Sequence, residues 1–355
     1  MSGSSSSRYL LGLAIGAVAS FGLIWAYVLT RPEAFLESSY PIWEAKQRFI
    51  SRCDLGAAVI SGDSRAEAAV DPRGLDIPTR NLSFGAETPA EGYFFTRRAL
   101  ACPAPPRQVV IAFAPPDFIS VSQFLWENGT RFGFIHYDEL SEISADAREL
   151  HDPSVEAVQS RLGFGGALRN WLYAVHFPPL YFNALLTGEV FRRQAINHAA
   201  FETTRAGLGH VDYFRHGAEP PFAGPAVITG DFHPVPVQTA FFERTLAMLA
   251  AHKIEAVYMP MPISQSIARR ASKAGMEEFE KYLSDFARRY PNFHVVTPLM
   301  VVWPDGAFIG IHMEASYAHR FTERFKACQD AAWRASGAVI SCDLSWQSIS
   351  GLARR

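Results

Sequence analysis

Short runs dominated by Val, Ile, Ala and Phe recur along the chain, and they constrain its architecture more than any other feature. They read LGAAVIS at 55–61, RQVVIAF at 107–113, KIEAVYMP at 253–260 and FHVVTP at 293–298. Strands with one wet face alternate apolar and polar residues, whereas near-continuous apolar runs suit strands covered on both faces. Between the later runs, VQTAFFERTLAMLAAH and SKAGMEEFEKYLSDFARRY repeat apolar residues at three- and four-residue spacing, the period of one helix face. Strands alternating with helices predict an α/β body with a doubly wound, mostly parallel, flavodoxin-like sheet. Residues from about 120 to 225 break the rhythm with Phe, Tyr, Trp, Gly and Pro, as in GFGGALRNWLYAVHFPPLYFNALLTG. They read as an insertion that packs over the sheet edge or contacts the membrane or a partner.

Ahead of this body, YLLGLAIGAVASFGLIWAYVLT at 9–30 carries no charge and is bracketed by Arg8 and Arg31. It slightly exceeds the ~20 residues that one membrane-crossing helix needs. Ala17-Val18-Ala19 has the small-x-small form of a signal-peptidase site, but the apolar run continues about ten residues past it. The run then ends in Trp25 and Tyr27, side chains suited to a membrane interface. An uncleaved anchor is therefore expected in preference to a cleaved leader. The expected organisation is a cytoplasmic tail at 1–8, a transmembrane anchor at 9–30, a linker with a short amphipathic helix at 31–52, and a body at 53–355. That arrangement places a single-pass protein in the cell inner membrane with its globular part in the periplasm or outside the cell.

Charge and cysteine content narrow the function classes. With 33 Lys+Arg against 35 Asp+Glu, the chain lacks the basic footprint that nucleic-acid binding requires. No glycine-rich phosphate loop or nucleotide fingerprint is present, so no cofactor is expected. Cys53, Cys102, Cys328 and Cys342 lack the close spacing of a zinc or redox motif. An even number in an exported chain is compatible with two disulfides; sequence neighbours would pair as Cys53–Cys102 and Cys328–Cys342. Four buried thiols are the alternative.

The first strand-like run stops at Gly62-Asp63-Ser64-Arg65. In an open parallel sheet, sites form where the C-terminal ends of strands meet loops, and Ser64 falls there. A serine nucleophile needs a base, and His312 in DGAFIGIHMEASYAHRFTERF is the candidate. Together with Asn81 and Gly85 in RNLSFGAET, these residues give the chain a pattern that resembles the SGNH/GDSL hydrolase superfamily over about 53–118 and 225–330. The added anchor brings it nearer to the DltD-like and alginate-acetylation accessory proteins of membrane-bound O-acyltransferase systems. The resemblance implies Ser64 as nucleophile, His312 as base, and the backbone N–H groups of Ser64 and Gly85 as oxyanion donors, with Asp63 shaping the turn.

Two positions depart from the family pattern. Ile309 stands where an acid three residues before the histidine would orient it, and Pro115-Pro116, followed by Asp117, stand where a donor asparagine is expected. Asp305 or Glu314 would substitute for the acid, or a backbone carbonyl would, leaving a Ser–His dyad. Losing the orienting carboxylate of a serine protease costs ~10⁴ in turnover, so the gap matters. Asp231 and His233 in TGDFHPVP are second-rank cleft candidates, and Arg65 would either meet an anionic substrate or form a surface ion pair. HMEASYAH lacks the spacing of a helical two-histidine zinc site, so no metal is expected.

The expected function is a serine-dependent O-acyltransferase or esterase acting on a cell-envelope or secreted polysaccharide, beside a membrane O-acyltransferase partner. A non-catalytic carbohydrate-binding or scaffold subunit of such a complex is the alternative.

Overall fold

The computed structural model describes residues 3–36, 39–180, 188, 190–213, 226–335 and 337–346. Of the expected insertion, 181–187, 189 and 214–225 lie outside the described residues.

The apolar runs form strands, in chain order β1 (Ala58–Gly62), β2 (Thr79–Asn81), β3 (Gln108–Ala112), β4 (Glu255–Tyr258), β5 (Pro262–Ser264), β6 (Phe293–Thr297), β7 (Val301–Trp303), β8 (Phe308–Ile309), β9 (His312–Met313) and β10 (Val339–Ser341). Six of them make one parallel sheet in the order β10-β6-β4-β3-β1-β2. Its chain leaves β1 toward one edge and β3 toward the other, so the gap between these two strands is the topological switch point of a doubly wound sheet.

Side chains along a strand alternate between faces, and the core divides accordingly. Val59, Val109, Ile111, Ala256 and Val295 face one apolar cluster, built with helices α2 (Tyr40–Ser51) and α4 (Pro89–Leu100) and with the helices Pro236–Ala251 and Lys273–Arg289. Ile60, Val110, Ala112, Val257 and Val296 face the other, built with α3 (Ser64–Ala69) and the helix Ala315–Trp333. Both faces are thus covered, which is why the strands are apolar at successive positions.

Three further segments complete the body. The short amphipathic helix expected within 31–52 is α2, and its Trp43 and Lys46 are buried in the body. The run VISCDLS at 339–345 supplies the edge strand β10, paired with β6 at Ile340↔Val296. The aromatic insertion is helical where described, with helices at Gln123–Arg131, Tyr137–Glu149, Pro153–Ala174 and Val190–Ala206. Arg244 fixes it to the body, donating from Nη2 to Asp146 Oδ1 at 2.9 Å.

The N-terminal helix α1 (Gly3–Thr30) contains one segment, Ser6–Thr30, long and apolar enough to cross a membrane, with mean hydropathy 1.9 and 6% of its most apolar window buried.

Both expected disulfides are formed, Cys53–Cys102 and Cys328–Cys342. The first ties the chain just past α2 to the chain just past α4, and the second ties the helix Ala315–Trp333 to the end of β10. Peptide mapping without reductant will return these two links and no free thiol. The sequence separations are 49 and 14. From loop-closure entropy, the Cys53→Ser/Cys102→Ser variant will lose about 4 kcal/mol and the Cys328→Ser/Cys342→Ser variant about 3 kcal/mol in denaturant unfolding.

Candidate active site

The close approach of β1 to β3 sets the position of Ser64. Gly62, the last residue of β1, pairs with Ala112, and a Cβ there would come 2.7 Å from the Ala112 carbonyl oxygen and 2.8 Å from its carbon. Only glycine leaves the strands paired at that point. Asp63 follows in extended conformation and caps α3, its Oδ1 accepting from Arg65 N at 2.8 Å. Ser64 is then the first residue of the helix.

His312 arrives from the far end of the chain on a small hairpin. β8 and β9 pair antiparallel, with Ile309 opposite His312. His312 Nε2 lies 2.8 Å from Ser64 Oγ. Ser64 is 5% exposed and His312 1%. Burial pushes the imidazole down to about 4; the Asp63 charge opposes that shift and the Arg65 charge adds to it. The ring is therefore neutral at ordinary pH and competent to accept the serine proton.

Among the described residues no carboxylate orients it. His312 Nδ1 is buried and has no hydrogen-bond partner among the described residues. Asp305, expected first as the orienting acid, instead accepts from Ser266 N at 2.8 Å and lies 3.8 Å from Arg269 Nη2; the Ser266 backbone bond holds its carboxyl low. The turn Asp305–Ala307 directs it toward the short helix Gln265–Ala268 after β5 rather than toward the imidazole. Glu314 precedes the helix Ala315–Trp333 and accepts from Ser316 Oγ at 3.2 Å. Neither joins His312.

Behind Ser64 lies a buried charge cluster. Arg65 is neither a surface ion pair nor a free anion receptor. Its Nη2 meets Asp63 Oδ2 at 2.6 Å, its Nε donates to the same oxygen at 3.0 Å, and its Nη1 donates to Ala226 O at 3.1 Å. Burial alone would raise the Asp63 carboxyl, but the Arg65 guanidinium outweighs it and holds Asp63 low. Burial, and then the Asp63 charge, pushes Asp117 well above the carboxylate range. Asp117 Oδ2 accepts from Ala114 N at 2.6 Å.

The other expected residues divide. Asn81 is fully buried, with Nδ2 donating to Ala66 O at 2.8 Å and Val70 O at 3.1 Å, so its amide clamps α3. Phe84 N donates to Gly62 O at 3.0 Å, which puts Gly85 one residue beyond the rung that leads into Ser64. Asp231 and His233 are exposed in the loop before the helix Pro236–Ala251 and make no hydrogen bond to the Ser64–His312 pair. Among the described residues no cluster of His, Cys, Asp and Glu has the arrangement of a metal site.

Three residues of the site escaped the sequence reading. Lys46 Nζ of α2 meets Glu67 Oε1 at 2.6 Å, and Tyr213 donates its hydroxyl to Glu67 Oε2. The Tyr213 ring then lies over His312, centroids 4.6 Å apart at 47°. Tyr213 arrives because the chain at Gly209 runs against Asn81: a Cβ there would sit 1.9 Å from Asn81 O, and φ is +99°. Glu67 stands one helical turn after Ser64, the one visible sequence signal among the three.

Burial raises the Glu67 carboxyl, opposed by Lys46. Removing one member of a buried pair costs about 3–5 kcal/mol, so Lys46→Met will lower the unfolding free energy by that order. The penalty will shrink as pH falls and Glu67 takes up a proton, and Lys46→Met/Glu67→Gln will recover part of it. Denaturant unfolding across pH checks both.

No protein-family model matches the chain, and no curated protein matches it.

Proposed function

We propose that the chain is an exported, membrane-anchored protein that moves an O-acyl group, most simply acetyl, to or from a cell-envelope or secreted polysaccharide. The observation that carries this reading is the 2.8 Å contact between Ser64 Oγ and a neutral His312 Nε2. It lies at the switch point of a parallel sheet, where such folds place their chemistry. The resemblance of Gly62-Asp63-Ser64, Gly85 and His312 to the SGNH pattern supports the acyl class. The apolar helix Ser6–Thr30 and the two disulfides support anchoring and export.

In the proposed cycle Ser64 Oγ attacks the acyl carbonyl as its proton passes to His312 Nε2. The carbonyl oxygen becomes an oxyanion received by the N–H groups of Ser64 and Gly85; a pre-aimed donor of this kind contributes ~3 kcal/mol. The alcohol departs with the proton from His312, leaving an ester on Ser64. A sugar hydroxyl, deprotonated by the same imidazole, then takes the acyl group. Burial of the pair keeps bulk water from the ester and favours transfer over hydrolysis.

A second reading has its own observation. An imidazole whose Nδ1 has no partner among the described residues is a poor base, and this favours a non-catalytic carbohydrate-binding or scaffold subunit of a membrane O-acyltransferase complex. Kinetics separate the two. The full chain in detergent should release p-nitrophenol from p-nitrophenyl acetate with a burst that Ser64→Ala abolishes. Equal reaction of wild type and Ser64→Ala leaves the scaffold reading standing.

The pH profile supplies an independent check. Only neutral imidazole accepts the serine proton, so the acid limb of the acylation rate should fall through about 4, the value to which burial lowers His312, rather than through the ordinary histidine range. Ile309→Asp tests the effect of an orienting carboxylate. Position 309 is directly opposite His312 in the hairpin, and cross-strand side chains lie about 5 Å apart at Cβ. A carboxylate there should raise the imidazole pKa, move the acid limb to higher pH and increase the acylation rate above it.

A further inference from the structure

The insertion carries an apolar face next to the N-terminal helix. The helix Pro153–Ala174 breaks at Gly163, where φ is 61°. After the break Phe164, Leu168 and Trp171 follow at the spacing of one helical stripe, and they are 85%, 44% and 53% exposed. Phe164 and Trp171 line a groove of 1320 Å³ together with Trp126, Ile135 and Leu140, and with Arg148 and Glu156.

The end of that helix is fixed to α1. Trp25 Nε1 donates to Val175 O at 2.9 Å, and the Phe177 ring lies 5.8 Å from Phe21 and 5.9 Å from Trp25. Phe21 precedes the end of α1 at Thr30 by nine residues, ~13 Å along a helix axis. A span of this length exceeds a hydrocarbon core of ~30 Å only modestly, so the Phe21–Trp25 turn lies within the outer leaflet. Phe177 is therefore held at lipid depth and the stripe just before it at the interface. Arg193 Nη1, donating to Phe35 O at 3.3 Å, and Asn197 Nδ2, donating to Glu33 O at 2.8 Å, bring the helix Val190–Ala206 to the same end of α1, where Phe191 is exposed. Between residues 157 and 188 the only charged side chains are Arg161 and Arg169. An apolar stripe with basic and no acidic residues is the composition of an interfacial helix.

We propose that Phe164, Leu168 and Trp171 seat the insertion in the outer leaflet of the bilayer, as a second membrane contact beside α1. The occupant of the face and of its groove is lipid: acyl chains against the stripe, anionic headgroups near Arg161. The body is then held at a fixed height and tilt, rather than swinging on a tether. This proposal rests on the anchored reading of α1, and the experiment separates the two.

All four native cysteines are in disulfides, so an added cysteine is the only thiol. The full chain carrying Val18→Cys, Phe164→Cys or Lys273→Cys is labelled with an environment-sensitive NBD fluorophore. Each form is placed in phosphatidylethanolamine/phosphatidylglycerol vesicles with or without doxyl-labelled lipid. Labels at 18 and 164 should be blue-shifted and lose most of their emission to the doxyl lipid, whereas the label at 273 should do neither; Leu168→Cys should repeat the behaviour of 164. Quenching at 18 with 164 behaving like 273 overturns the second contact and leaves the anchor intact. A blue shift at 164 that resists doxyl lipid and grows with protein density puts a second copy on the face and overturns it as well. An unquenched label at 18 refutes the anchor and this proposal together.

Discussion

The contact of Gly62 with the Ala112 backbone governs the site. Because the two strand ends meet there without a side chain between them, β1 stops level with β3 and the chain turns at once into α3. Ser64 consequently emerges at the seam where the sheet changes winding direction, directly above the packed core. Any side chain at position 62 would force the strand ends apart and displace Asp63, whose carboxylate caps α3 and holds Arg65. Geometry at one glycine thus fixes a helix start, an ion pair and the position of Ser64 together.

A second layer of constraint is electrostatic. α3 is six residues long, too short to hold itself, and it is clamped at both ends by buried polar groups. Asp63 and Arg65 secure its start, Asn81 binds its last carbonyls, and Glu67 in its middle joins Lys46 from α2 and Tyr213 from the end of the insertion. Every one of these side chains is buried, so each interaction is weakly screened and its loss leaves an unpaired group in a dry place. The result is a rigid platform under Ser64, built from parts of the chain far apart in sequence.

The parallel sheet and its covering helices were legible because strands buried on both faces must be apolar throughout, and the runs at 55–61, 107–113, 253–260 and 293–298 are. β2 and β10 were harder to read: each is three residues long, and β2 is Thr-Arg-Asn, with no apolar signature. Ser64 and His312 were readable as residue types in a known pattern, and the structure brings them together. The position of Asp305 was not, since its direction is set by the Ser266 amide and the turn it begins. Lys46 and Tyr213 were invisible for a related reason. A lysine in an amphipathic helix is ordinarily solvated, and only the fold reveals that the far side of that helix is also covered.

His312 and Ser64 are carried by elements of unequal strength. Ser64 is rooted in a six-stranded sheet, while His312 sits on a hairpin whose strands are two residues each. Short elements with few backbone bonds open by local unfolding at a free energy well below that of the whole domain. The hydrogen bond between them therefore joins a small element to a large one. The pairing of Ser64 with His312 is only as durable as that hairpin, whatever the strength of the sheet.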